Sequence, residues 1–142
     1  MTVLDAYAVV AYLRDEVAAE SVHALLRSPT VLSAVNAAEI VDQLVRVHRQ
    51  EADDVHADLG LLSAAGMQLL PVSPDVGLLA GRLRARHYHR QAMALSLADC
   101  MAAATALTTG RPLATADPAL AAMSRAEGVS VHALPDTLGR RP

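Results

Sequence analysis

The chain has no Phe, no Trp, no Lys and a single Cys. One cysteine leaves no disulfide framework and no cysteine-based zinc site. Three tyrosines, Tyr7, Tyr12 and Tyr88, are the only aromatics. They are too few for a base-stacking platform, and they leave Ala, Leu and Val to build the core. Long apolar runs are also missing; a membrane span needs about 20 continuous apolar residues. The apolar start, Val3 to Leu13, carries Asp5 within it and no basic stretch before it, so it does not read as a secretory signal. These absences point to a cytoplasmic chain with a thin-layered, small-residue core.

What is present fits one folded domain. Of 142 residues 53% are hydrophobic, which argues against disorder and provides enough apolar surface for a real core. We read residues 1–142 as one domain, with about 135–142 as a frayed tail. The net charge of −3 is unevenly spread. No acid lies between Asp75 and Asp99, whereas Arg82, Arg84, Arg86, His87, His89 and Arg90 all do. The total charge is therefore no obstacle to a phosphate backbone, because location matters more than sum.

Short β-like runs recur at Thr2–Leu4, Thr30–Leu32, Gln68–Val72, Pro112–Thr115 and Val129–His132. Longer helical segments separate them. Val41, Leu44, Val45 and His48 share one helix face, as do Leu79, Leu83 and Arg86. Strands alternating with helices, often two per crossover, predict an α/β fold with a parallel sheet covered on both faces.

In such a sheet ligands collect at the carboxyl ends of the strands. Four acids fall on that edge. Asp5 follows the first strand. Glu39 lies in the first turn after the second. Asp117 stands two residues beyond the strand ending at Thr115. Asp99 opens the helix that leads into that same strand, and an antiparallel helix returns its N-terminus to the carboxyl edge. Helix capping competes as an explanation. Asn36-x-x-Glu39 and Ser96-x-x-Asp99 match the capping box, and Asp117-Pro118 reads as an N-cap before Pro at N1. Yet converging carboxylates repel one another unless a cation joins them. An oxygen-only donor set favours Mg²⁺ or Mn²⁺, which suits phosphodiester hydrolysis.

Four segments carry a family resemblance: Val3-Leu4-Asp5-Ala6-Tyr7-Ala8, Ser33-Ala34-Val35-Asn36-Ala37-Ala38-Glu39, Leu95-Ser96-Leu97-Ala98-Asp99 and Leu113-Ala114-Thr115-Ala116-Asp117. In order, they resemble the four signatures of the PIN domain, and the length is similar to that of single-domain VapC-like toxins of VapBC toxin–antitoxin pairs. Each motif is weak alone; the ordered set is specific. The resemblance implies a three-layer α/β/α fold with a five-stranded parallel sheet. It also implies a Mg²⁺- or Mn²⁺-dependent endoribonuclease, a homodimer, inhibited by a VapB-like antitoxin. By motif, Asp5 and Asp99 become the principal metal ligands and Glu39 and Asp117 complete the acidic pocket. Thr115 becomes a hydrogen-bonding support, and Asn36 either orients Glu39 or caps its helix. The chain departs from the family in one place. Many members carry Ser or Thr one or two residues after the first acid, where this chain has Ala6 and Tyr7.

Arg82, Arg86 and Arg90, at i, i+4 and i+8, would align on a continued helix as candidates for RNA-backbone contact, with a solvated face as the competing reading. The six His residues show no metal-ligand spacing, and Cys100 reads as a small buried residue. A phosphotransfer receiver domain would need a lysine near the phosphoryl group, and with none in the chain that reading is poor. A catalytically weak or silent PIN-fold module that binds RNA or antitoxin, and a DNA-cleaving nuclease, remain as alternatives.

Overall fold

The computed structural model describes residues 1–142. Five parallel strands, β1 (Thr2–Leu4), β2 (Thr30–Ser33), β3 (Met67–Leu70), β4 (Leu113–Thr115) and β5 (Val131–Ala133), form one sheet in the order β3-β2-β1-β4-β5. This matches the α/β reading. The predicted strand at Gln68–Val72 starts one residue earlier and stops before Pro71, which has no N–H to give a neighbouring strand.

Parallel pairing requires crossovers, and the helices supply them. Helices α1 (Ala6–Leu13) and α2 (Ala19–Leu26) join β1 to β2. Helix α3 (Ala34–Asp42), a π turn (Gln43–Val47) and α4 (Ala52–Ala64) join β2 to β3. Helices α5 (Pro74–His87) and α6 (Leu97–Thr109) join β3 to β4, and α7 (Pro118–Ala126) joins β4 to β5.

Period-two alternation along the strands splits the interior into two cores. Leu4, Leu32 and Ala114 face one, with Val9 of α1, Val22 of α2, Ile40 of α3 and Val55 of α4. Val3, Val31 and Leu113 face the other, with Leu83 of α5, Leu120 and Met123 of α7, and the alanines of α6. Cys100 and Ala102, Ala103, Ala104 and Ala106 are all fully buried. Small side chains let α6 sit between sheet and α5 in a chain without Phe or Trp. Truncating a filled position such as Leu32 or Leu113 would cost about 2–5 kcal/mol.

The sheet order decides where a site can form. From β1 the chain winds outward to β2 and β3, then returns to the other side of β1 for β4 and β5. The winding reverses between β1 and β4, and a crevice opens outside their carboxyl ends.

Two expectations need correction. Helix α5 ends at His87, so Arg90 lies in the following loop and does not continue the face of Arg82 and Arg86. Arg86 instead pairs with Glu127 at 2.8 Å. Residues 135–142, expected to fray, fold back on the domain. Leu134 and Pro135 are buried, and the Pro135 carbonyl accepts a 3.0 Å hydrogen bond from the Tyr7 hydroxyl. Arg141 donates to the Ala133 carbonyl and to Ser21 Oγ. No helix is long and apolar enough to cross a membrane.

Candidate active site

An open cleft of about 370 Å³ occupies the reversal point. Asp5, Glu39, Asp99 and Asp117 all line it, so the structure brings together the four acids picked out in the sequence. Ala6, Tyr7, Gln43, Asp136, Thr137 and Arg140 also face it.

Local chemistry places each acid. Asp5 directly follows β1 and caps α1, its Oδ1 accepting from Ala8 N at 2.8 Å. Ser96 and Asp99 form a full capping box: Asp99 N donates to Ser96 Oγ at 3.0 Å, and Ser96 N donates to Asp99 Oδ2 at 2.7 Å. Asp117 caps α7 through Leu120 N at 2.7 Å. Capping and site membership therefore coexist. A cap uses one carboxylate oxygen, and all three residues still line the cleft.

Glu39 is the exception. Its helix is capped by Ser33, whose Oγ accepts from Asn36 N at 3.1 Å, so Asn36-x-x-Glu39 is not a capping box. Asn36 is buried and does something else. Its Oδ1 accepts from Ser33 Oγ at 2.6 Å, and its Nδ2 donates to the Ala98 carbonyl at 3.1 Å and, at a long 3.5 Å, to Glu39 Oε2. Asn36 thus ties the start of α3 to the start of α6, fixing Glu39 relative to Asp99. Gln43 Nε2 reaches Glu39 Oε1 at 3.4 Å from the first residue of the π turn. Thr115 is fully buried, and its Oγ1 accepts from Asp117 N at 3.0 Å.

None of the four acids is ion-paired. Their electrostatics follow from this. Burial pushes the Asp5 carboxyl up to about 7; the Thr115 hydroxyl and Ala8 N–H pull it back, while Asp99 and Glu39 push it further. Burial also raises Glu39, with Asp99 adding to the rise, and raises Asp99, with Asp117 adding. The cleft is a concentration of unpaired negative charge.

The donor set is oxygen only, which suits a hard divalent cation such as Mg²⁺ or Mn²⁺. No three His, Cys, Asp or Glu side chains converge into a ready-made cage.

The family model for the PIN domain matches residues 2–126. The chain belongs to the PIN domain family. Among solved structures sharing the PIN fold is the sarcin–ricin loop cleaving toxin VapC20 of Mycobacterium tuberculosis. It is 16% identical with a TM-score of 0.68, over 86% of this chain and 94% of that one. VapBC2 from Rickettsia felis, bound to a DNA fragment from its promoter, is 13% identical with a TM-score of 0.68, over 94% and 98%. FitAcB from Neisseria gonorrhoeae is 23% identical with a TM-score of 0.64, over 92% and 96%. No curated protein matches the chain.

Sequence reasoning overlooked Gln43, Asp136, Thr137 and Arg140. Gln43 stands four residues after Glu39, the spacing at which helical side chains meet, and that signal was available. Asp136 and Arg140 follow the last strand onto the same carboxyl edge, also at i, i+4. Their position was legible only had the end of the chain not been set aside as a tail.

Proposed function

We propose that this PIN domain is a toxin-type endoribonuclease, dependent on Mg²⁺ or Mn²⁺ and restrained by a VapB-like antitoxin. The observation that carries this reading is that four acids without ion-pair partners line one cleft at the winding reversal, with the most buried raised to about 7. A folded chain keeps such a strained set of carboxylates where a cation is meant to share it. Structural likeness to VapC and FitAcB proteins supports the toxin assignment, and the RNA-cleaving description of VapC20 supports RNA over DNA.

In this reading Asp5 and Asp99 would hold the ion, and Glu39 and Asp117 would complete the acidic pocket, holding the metal through water or orienting the nucleophile. When bound, the ion neutralises a phosphoryl oxygen and lowers the pKa of water. The chain's own part is positional. Asn36 and Gln43 fix Glu39, Thr115 fixes the backbone of Asp117, and Asp5 and Asp99 are locked by their caps. The step is in-line attack of water on the phosphodiester, leaving a 5′-phosphate. The protein acts in the cytoplasm as a homodimer.

The test is cleavage of a mixed RNA pool by purified, antitoxin-free protein with Mg²⁺, Mn²⁺ or EDTA, beside Asp99→Asn. We expect metal-dependent cutting that the variant loses by at least about 100-fold. Ser96 still caps α6 and an Asn Oδ1 can still accept from Ser96 N, so the fold survives. Cleavage of DNA but not RNA would convert the reading to a deoxyribonuclease. No cleavage of either by folded protein would leave a silent binding module.

A further inference from the structure

The cleft is lined by five carboxylates and one guanidinium, that of Arg140. Arg140 is not spent on the four site acids. Its Nε donates to Asp136 Oδ2 at 2.7 Å, and its Nη2 lies 2.7 Å from the same oxygen in an ion pair. Asp136 Oδ1 accepts from Leu138 N at 2.8 Å and Arg140 N at 2.9 Å, and Asp136 N donates to the Arg140 carbonyl at 2.7 Å. Asp136 therefore builds the turn and aims the guanidinium together, and its own carboxyl is held below the ordinary value by Arg140.

Of five guanidinium N–H groups, two are used. The Nη1–Nη2 edge has no partner and is exposed, with 73% of the side chain accessible. That edge is a two-donor fork whose geometry matches two oxygens of a phosphate. The turn beneath it is anchored on two sides of the domain. Tyr7, two residues from Asp5, holds Pro135 from the cleft wall, and Arg141 grips Ala133 and Ser21 from behind. The tyrosine that stands where many family members have a hydroxyl residue thus serves the C-terminal arm.

A polyanion entering an acidic cleft meets repulsion at every phosphate that the metal does not neutralise. We propose that Arg140 binds a backbone phosphate of the RNA next to the one being cut, with residues 134–142 forming a built-in arm that holds it at the rim. The proposal rests on the ribonuclease reading. Contact with phosphate alone gives affinity and register without base choice.

The experiment is steady-state cleavage of a short single-stranded RNA with Mg²⁺ over a range of salt, with thermal unfolding run in parallel. The variants are Arg140→Ala, Arg140→Lys and Asp136→Asn. We expect Arg140→Ala to raise KM by about 10-fold, with kcat within about 2-fold, and to flatten the log–log salt dependence of kcat/KM by about 0.7. Arg140→Lys should recover part of the KM loss, since it restores charge but not the fork. Asp136→Asn should fall between wild type and Arg140→Ala. A wild-type KM and salt slope in Arg140→Ala would overturn the proposal and leave the ribonuclease standing. So would a lowered Tm with an unchanged salt slope, which would make the arm structural only. RNA left intact by the wild type would overturn both readings.

Discussion

Two sets of carboxylates in this molecule are pushed in opposite directions. At the carboxyl edge of the sheet, burial and mutual repulsion raise Asp5, Glu39 and Asp99 above their ordinary values. Between the C-terminal ends of α5 and α7, Glu127 is held below its ordinary value, first by the His87 hydrogen bond at 2.6 Å and then by Arg86 at 2.8 Å. The second set is a satisfied ion cluster that joins two helices. The first holds charge that the fold alone does not satisfy, which is how binding and catalytic sites differ from structural ones. Arginines follow the same division. On α5, Arg86 is taken up by Glu127 and Arg84 by the Leu95 carbonyl and the Tyr88 ring, whereas Arg140 keeps a free edge at the cleft.

The largest expected effect is an inversion of the usual link between stability and activity at Asp5. Asp5→Asn should abolish metal-dependent cleavage while making the metal-free protein about 1 kcal/mol more stable, because Asn caps α1 equally well without the buried charge. Thermal unfolding in EDTA beside the cleavage assay checks both; a destabilised variant would mean the carboxylate is structural.

The pH dependence sharpens the contrast. The folded state retains the Asp5 proton up to about 7, while the unfolded chain releases it near 3.8. Folded protein binds more protons across that window, so metal-free stability should fall as pH rises from about 4 to about 7. Mg²⁺ should reverse the fall, and Asp5→Asn should flatten it. Glu127 has the opposite sign. Its contribution is present above the unfolded value of 4.5 and fades as pH drops through the lower folded value. Tm against pH, with and without Mg²⁺, separates the two.

Next in size is Asn36→Ala. It strands Ser33 Oγ and the Ala98 carbonyl and frees Glu39, so we expect about 1–3 kcal/mol of destabilisation and about a 10-fold drop in kcat. An unchanged kcat would reduce Asn36 to a helix tie. The smallest effect belongs to Glu127→Gln, within about 1 kcal/mol and without a change in cleavage rate, because Arg86 is exposed and screened.

Much of this was legible in the residues. Alternating strands and helices predicted the sheet, and its carboxyl edge served as a filter that selected Asp5, Glu39, Asp99 and Asp117. Capping hid nothing, since Asp5 and Asp117 are helix caps, Asp99 is the partner of a capping box, and all three line the cleft. Errors arose where local pattern and long-range contact part ways. Arg82, Arg86 and Arg90 share a spacing, but the helix stops at His87 and Arg86 finds a partner 41 residues away. Asn36 matches a cap by spacing, but Ser33 takes that place and Asn36 turns to Ala98, 62 residues on.

Periodicity, helix caps and apolar runs are properties of neighbours along the chain, so sequence alone determined the α/β class, the element order and the acids at strand ends. Which acids meet depends on the strand order β3-β2-β1-β4-β5, and that order is set by how two cores pack on one sheet. The C-terminal arm shows the same division most sharply. A proline, a glycine and two arginines read as a loose end until Tyr7, on the other end of the chain, supplies the hydroxyl that holds it at the cleft.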